Sequence, residues 1–355
     1  IMEDIMKKTF LLFILALCSI ALFAQNENWL WAKQAGGPNH DYGYSIAVDA
    51  NGNSYIIGSF WSIATFGNTT LTSSGGYYTD IYVAKLDSKG NWLWANKAGG
   101  LNWDYGYSIA VDANGNSYVT GCHLSSATFG TITLTSSGGY DIFIAKLDSS
   151  GNWLWAKKAG GTSDDYSRSI TVDDNGNSYV TGDFRSSATF GTTILNTSGY
   201  NDIFVAKLDI NGNWLWAKQA GGSYRDYGYS IAVDANGNSY VTGCFSGIAT
   251  FGTTTITSSG DKDIFVAKMD SNGNWLWGKQ TGGTSGDEGK NIAVDANGNS
   301  YVTGYFNISA TFGTTTLTSS GGSDIFVAKL DSSGNWLWAK QAGGTSYDFG
   351  NSIAV

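Results

Sequence analysis

The sequence predicts an all-β fold: a β-propeller of four-stranded antiparallel blades, about 61 residues per blade, with five complete blades and partial blades at both ends. Three observations predict it. The tripeptide Trp-Leu-Trp begins at Trp29, Trp92, Trp153, Trp214, Trp275 and Trp336, in steps of 63, 61, 61, 61 and 61 residues, and a fixed period of that length marks a repeat architecture. Every period contains four β-type segments bounded by Gly, Asn, Asp and Ser, with no helical pattern. In Trp-Leu-Trp-Ala and Ile-Phe-Val-Ala, successive residues point to opposite faces of a sheet, yet both faces are apolar and must be covered.

The period built on Ser230 shows each element in order. Strands are expected over 230–234, 239–242, 263–270 and 274–280. Ala235-Asn236-Gly237-Asn238 joins the first pair and Ser271-Asn272-Gly273 the second, both with the residues of tight hairpins. Two hairpins make a four-stranded sheet, and copies stacked radially supply one another's core. A β-solenoid is the main rival, but its coils are shorter and lack paired hairpin turns. Complete blades fall near 45–99, 108–160, 169–221, 230–282 and 291–343. Residues 29–34 read as a fourth strand without its first three, and 352–355 as a first strand, which suggests a truncated reading frame.

The pattern G-G-x-x-x-D-x-G-x-S-I-A-V-D-x-x-G-N-x-Y-V-T-G, spanning Gly221 to Gly243 and recurring in the other periods, resembles the bacterial seven-bladed β-propeller repeat family. The resemblance covers nearly all of residues 29–355. It implies the propeller fold, about seven blades in the full form and a secreted setting, and it carries over no catalytic residue.

At the N-terminus, Met6-Lys7-Lys8 and the apolar run to Phe23 read as a signal peptide over residues 1–24, with Met6 as the true start. Cleavage after Ala24 or Ala21 leaves small residues at the cut; a lipoprotein reading at Cys18 is disfavoured by the bulky Leu17 before it. The domain then runs over 25–355, with no membrane span after cleavage. The chain carries a net charge of −9, unchanged by removal of the signal's two lysines and two acids, and has no Lys/Arg cluster. An acidic surface repels phosphate backbones, so nucleic acid is excluded as a partner. Cys122 and Cys244 stand two periods apart, in equivalent sites of non-adjacent blades, and read as buried thiols without a bridge.

Function has few places to sit. The hairpin turn is nearly constant: DANGN at Asp49, Asp112, Asp234 and Asp295, DDNGN at Asp173. It resembles a calcium loop only partly, lacking the glycine at the sixth place and the glutamate at the twelfth, and hairpin chemistry explains it without a metal. The links between blades vary: GGPNHDYGY, GGLNWDYGY, GGTSDDYSR, GGSYRDYGY and GGTSGDEGK. Variable loops on a fixed scaffold are where recognition settles, so Asn39, His40, Trp103, Arg168, Tyr224, Arg225, Glu288 and Lys290 are the candidate ligand-binding residues, with neutral drift in solvated loops as the alternative. Asp41, Asp104, Asp165, Asp226, Asp287 and Asp348 close every link; they either ring a channel mouth or cap backbone N–H groups. Twelve of fourteen tryptophans sit in the Trp-Leu-Trp copies and read as inter-blade core, leaving Trp61 and Trp103 for exposed contacts. The Thr- and Ser-rich stretch after each second strand, anchored by Phe66, Phe129, Phe190, Phe251 and Phe312, offers a flat hydroxyl array that could suit ice or a glycan.

Catalysis finds no support: His40 and His123 lie in different blades, and no nucleophile elbow, metal-ligating pair or phosphate-cradling loop accompanies them. The expectation is a secreted or cell-surface, non-catalytic binding or adhesion module for protein or glycan, without cofactor or metal. The alternative is a passive scaffold or spacer within a larger exported protein.

Overall fold

The computed structural model describes residues 29–355, so the expected signal peptide lies outside the described residues. Residues 29–34 carry no strand, against expectation, and group apart from the compact unit Ala35–Val355. Among the described residues every regular element is a β-strand.

The period built on Ser230 forms strands Tyr227–Val233, Ser239–Phe251, Thr254–Met269 and Trp275–Thr281, paired antiparallel in sequence order. Four further units repeat this arrangement, with first strands Asp41–Val48, Asp104–Val111, Tyr166–Val172 and Glu288–Val294. The turn aspartate closes the first hairpin as expected. Asp234 Oδ1 accepts the N–H groups of Asn236 and Asn238, both at 2.9 Å, and its Oδ2 accepts the Asn238 side-chain amide at 2.8 Å, while Gly237 takes φ +74, a backbone open to glycine at no steric cost.

The second and third strands run longer than the sequence suggested. The Thr-rich stretch read as a link is a hairpin extension, Ile248 to Phe251 against Thr254 to Thr257. Its period-two pattern explains why: Ala249, Phe251 and Ile256 point into the core while Thr250, Thr255 and Thr257 point out. Cross-strand threonine pairs follow, such as Thr128 Oγ1 and Thr133 Oγ1 at 3.0 Å. Where the extension departs from the main sheet, the backbone turns left-handed at Ser62, Ser125, Ser186, Gly247 and Ile308.

Neighbouring units share one core. Tyr118, Ile142, Ile144 and Trp155 of one unit pack with Ile170, Val180, Phe184, Phe190 and Phe204 of the next, and the same set recurs at later junctions. In the five Trp-Leu-Trp copies from Trp92 onward the first ring meets the anchoring phenylalanine edge-on, as Trp214 does Phe190 at 5.5 Å. The second ring donates Nε1–H to the next unit: Trp94 to Ser149 O, Trp155 to Ile210 O, Trp216 to Ser271 O, Trp277 to Ser332 O, at 3.0–3.3 Å. The tryptophans thus serve the junctions, as expected, though most keep part of their surface in solvent. A second stitch is the first tyrosine of each second strand, whose Oη reaches the next unit's turn glycine: Tyr55 to Gly115 O, Tyr179 to Gly237 O, Tyr240 to Gly298 O.

Six copies of the first-strand core, from Ser45–Val48 to Ser352–Val355, line one cavity of about 570 Å³. Residues 352–355 are not assigned as the strand expected, yet the Ile353 N–H donates to Asn291 Oδ1 at 3.1 Å. This continues a series in which Ser45, Ser108, Ser169 and Ser230 Oγ accept the N–H of Ile109, Ile170, Ile231 and Ile292. Cys122 and Cys244 are free, buried thiols.

Candidate functional site

The links converge at the ends where the first strands begin. Their aspartates cap backbone N–H groups, the second of the two roles the sequence allowed. Asp165 Oδ2 accepts the Gly161 N–H at 2.7 Å and its Oδ1 the Arg185 N–H at 2.9 Å; Asp226 does the same with Gly222 and Ser246, Asp287 with Gly283 and Asn307. Asp41, Asp104 and Asp348 accept from Gly37, Gly100 and Gly344. Asp104, Asp165, Asp226 and Asp287 are wholly buried. The reason is local: the Gly-Gly pair presents a backbone N–H four residues upstream, and the chain folds over the carboxylate that caps it. Burial, reinforced by a neighbouring aspartate, pushes Asp104 up to about 8 and Asp165, Asp226 and Asp287 up to about 7.

What gathers at the start of the first strands is aromatic and cationic instead. Residues two apart on a strand share a face, so Tyr105 and Tyr107 stack at 6.0 Å, as do Tyr227 and Tyr229. The residues preceding Ser45, Ser108, Ser169, Ser230 and Asn291 on the first strands are Tyr44, Tyr107, Arg168, Tyr229 and Lys290. Tyr44 meets Tyr107 edge-on at 5.6 Å. Arg168 Nε lies 3.0 Å from Asp183 Oδ1 and its guanidinium 5.1 Å over the Tyr166 ring. Lys290 pairs with Glu288 and sits 4.3 Å over Tyr229, and Lys262 stands 3.5 Å from the same Glu288. Burial alone would raise Glu288, but the two lysines hold it below the usual carboxylate range. Burial raises the hydroxyls of Tyr107 and Tyr229 far above their ordinary value. Of the sequence candidates, Arg168, Glu288 and Lys290 therefore belong to this cluster, where each charge already has a partner. The tyrosines were missed as site residues, although the repeated Tyr-Gly-Tyr before Ser-Ile-Ala-Val was their signal.

The other candidates sit at the link tips. Asn39 and His40 are exposed, and the His40 ring stacks with Tyr42 and Trp61 at 6.3 and 6.2 Å. Trp103 packs edge-on against Tyr78 at 4.9 Å. In the third unit Asp164, at the position of His40 and Trp103, accepts the Tyr140 N–H through Oδ1 at 3.0 Å. In the fifth, Gly286 accepts from the Asn307 side chain. The fourth unit differs. Tyr224 and Arg225, with Tyr200, Ser246, Gly247, Gly260, Asp261 and Lys262, line a pocket of about 640 Å³. Arg225 lies 5.7 Å over the Tyr200 ring and makes no ion pair among the described residues.

Five stretches, residues 30–62, 97–121, 154–183, 215–243 and 276–308, match the SBBP beta-propeller repeat model. An uncharacterized WD repeat-containing protein of Acanthamoeba polyphaga mimivirus is 28% identical over 92% of this chain and 30% of its own length. The regulatory protein FlaEY of Caulobacter vibrioides is 27% identical over 78% of this chain and 31% of its own. The chain thus spans about a third of the length of these curated relatives. Among solved structures, the Neurospora crassa Pan2 WD40 domain aligns over 83% of this chain and 78% of that domain, at 12% identity and a TM-score of 0.39. A protein of unknown function from Bacteroides caccae aligns over 79% of this chain and 96% of its own, at 10% identity and a TM-score of 0.36.

Proposed function

We propose that this chain, built on five copies of a beta-propeller repeat, is a non-catalytic protein-interaction propeller that is secreted or held at the cell surface and recognises its partner with the link face. On this reading the five four-stranded units and the segment at 352–355 are consecutive blades around the central cavity. The observation that carries it is a contrast between two ends of the same strands. At the hairpin end the aspartate that opens each turn is consumed by that turn, as Asp112 is by Asn114 and Asn116. At the link end, the residue before the capping aspartate is His40, Trp103, Asp164, Arg225 or Gly286, so the chemistry changes while the frame does not. A frame kept constant beneath tips that differ is what a recognition surface requires.

The designation of the mimiviral relative as a WD repeat-containing protein supports a radial interaction scaffold of this kind. Non-catalytic action is supported by the state of the chemically capable side chains. Burial pushes the Cys122 and Cys244 thiols up to about 12, and burial pulls the His123 ring down to about 4. A glycan partner enters through the half-exposed tyrosines beside Arg225.

The test compares residues 25–355 with a variant in which every link carries the GGTSGDEGK sequence, screened against surface-protein and glycan arrays. Capture by the parent and none by the variant is expected. Equal behaviour of the two, with both folded, refutes recognition by the links and leaves a passive scaffold.

A further inference from the structure

We propose that the pocket between the third and fourth units binds a carboxylated sugar, with the carboxylate on the Arg225 guanidinium and a face of the pyranose against Tyr224. This deepens the link-face reading above and rests on it.

The first argument is the guanidinium. Arg225 is exposed, leans 5.7 Å over the Tyr200 ring, and its neighbour across the pocket floor is backbone, through the bridge to Asn201. Arg168 and Lys290 are neutralised by Asp183 and Glu288, and Lys97 and Lys158 by Asp80 and Asp141; among the described residues no carboxylate forms an ion pair with Arg225. A planar fork of five donors, steadied on an aromatic face and lacking an anion, fits a carboxylate in two parallel hydrogen bonds.

The second argument is the ring beside it. Tyr224 lies over Gly247, where an added Cβ would stand 2.7 Å from the tyrosine ring. The same left-handed position holds Ser62, Ser125, Ser186 and Ile308 in the other units. Only glycine there leaves room for the ring, so the tyrosine face and the glycine beneath it belong to one local design. Tyr200 and Tyr224 are 54% and 58% exposed, leaving ring surface free for the C–H face of a sugar.

The third argument separates a sugar from an acidic peptide. Asp261, exposed on the pocket wall, and the Ser246 hydroxyl and Gly260 backbone beside it offer acceptors to ring hydroxyls. A peptide rich in carboxylates meets Asp261 and a chain of net charge −9, both repulsive. A uronic acid brings one carboxylate for one guanidinium and hydroxyls for the acid. The volume of about 640 Å³ holds one to a few sugar rings.

Methyl glucuronide, methyl glucoside and triglutamate are titrated into residues 25–355 by calorimetry and by tyrosine chemical shifts. Glucuronide binding is expected, weakened roughly 10- to 100-fold by Arg225→Gln, as loss of a charge-assisted pair implies. Gly247→Ser, the residue found in three sister units, is expected to weaken binding by displacing Tyr224 without altering charge. Glucoside binding as tight as glucuronide, triglutamate binding in place of glucuronide, or glucuronide binding indifferent to Arg225→Gln each overturns the inference. So does absence of glucuronide binding; if the array screen then still shows capture lost on link replacement, the link-face reading stands and only the sugar-acid assignment falls.

Discussion

Asp202→Asn is expected to raise stability more at pH 9 than at pH 5. Asp202 and Asp226 are both wholly buried, and Asp202 Oδ1 and Asp226 Oδ2 lie 2.9 and 2.8 Å from the one point where a Cβ on Gly221 would stand. Asp202 Oδ2 accepts the Ser198 N–H, while Oδ1 has no hydrogen-bond partner among the described residues. Gln219 is the side chain that faces the pair, and it brings no charge. Burial pushes Asp202 up to about 6 and Asp226, with Asp202 as its neighbour, up to about 7. Both values lie above those of an unfolded chain, so this stabilisation is complete below about pH 4 and is lost as pH rises through 6 to 7. The shift of some two units in Asp202 corresponds to on the order of 3 kcal/mol by pH 9. Asparagine reproduces the protonated acid, accepting from Ser198 and donating toward Asp226, and recovers about 1–3 kcal/mol of that loss. Urea midpoints followed by tryptophan fluorescence at pH 5 and 9 check it. Equal destabilisation of the variant at both pH values would refute a protonated Asp202, because it would mean that the oxygen replaced by an amide was needed as an acceptor.

Three more perturbations probe the frame. Tyr179→Phe removes the hydroxyl that reaches both Asp173 at 3.1 Å and Gly237 O at 3.2 Å, and is expected to cost about 1–2 kcal/mol in urea denaturation, with no loss if water replaces both bonds. Ile308 holds φ +59 while 62% exposed, a β-branched residue in a left-handed backbone, so Ile308→Asn is expected to stabilise by about 1 kcal/mol; a lower melting temperature would show that the side chain contributes packing that its exposure hides. Arg168→Met leaves the buried Asp183 without its cation and is expected to cost roughly 3–5 kcal/mol at pH 7, much of it regained by adding Asp183→Asn in a double-mutant cycle.

The strands, their hairpins and the junction role of the tryptophans were legible because repetition and period-two alternation report directly on local geometry. The extension from Ile248 to Thr257 was not: its threonines and serines read as a link, and only the inward set Ala249, Phe251 and Ile256 makes it a strand. The candidate site was half legible. Variation picked out Arg168, Glu288, Lys290, Tyr224 and Arg225, but gave no account of which charges would find partners. Arg168 and Arg225 look alike in the sequence. One lies on a strand opposite the unit's own Asp183, across the pairing of Tyr166 with that residue, while the other stands on a link tip and forms no ion pair among the described residues.

That difference follows from where each position sits in the frame. Every group that holds two units together, the capping aspartate, the Gly-Gly pair, the junction tyrosine and the second tryptophan, is bonded to atoms of its own or the next unit, so a change there leaves a buried partner unsatisfied and costs stability. Gly99, Gly160 and Gly221 show the limit: an added Cβ would stand 2.6–2.8 Å from a buried carboxylate at each. The position before the capping aspartate carries no such bond in common, since histidine stacks there, tryptophan packs edge-on, aspartate caps a neighbouring strand and arginine meets solvent. Substitution at that position alters what the face presents while the junction beneath it keeps its bonds. Such a repeat can therefore change what its link face presents unit by unit without refolding, and in the fourth unit Arg225 forms no ion pair among the described residues.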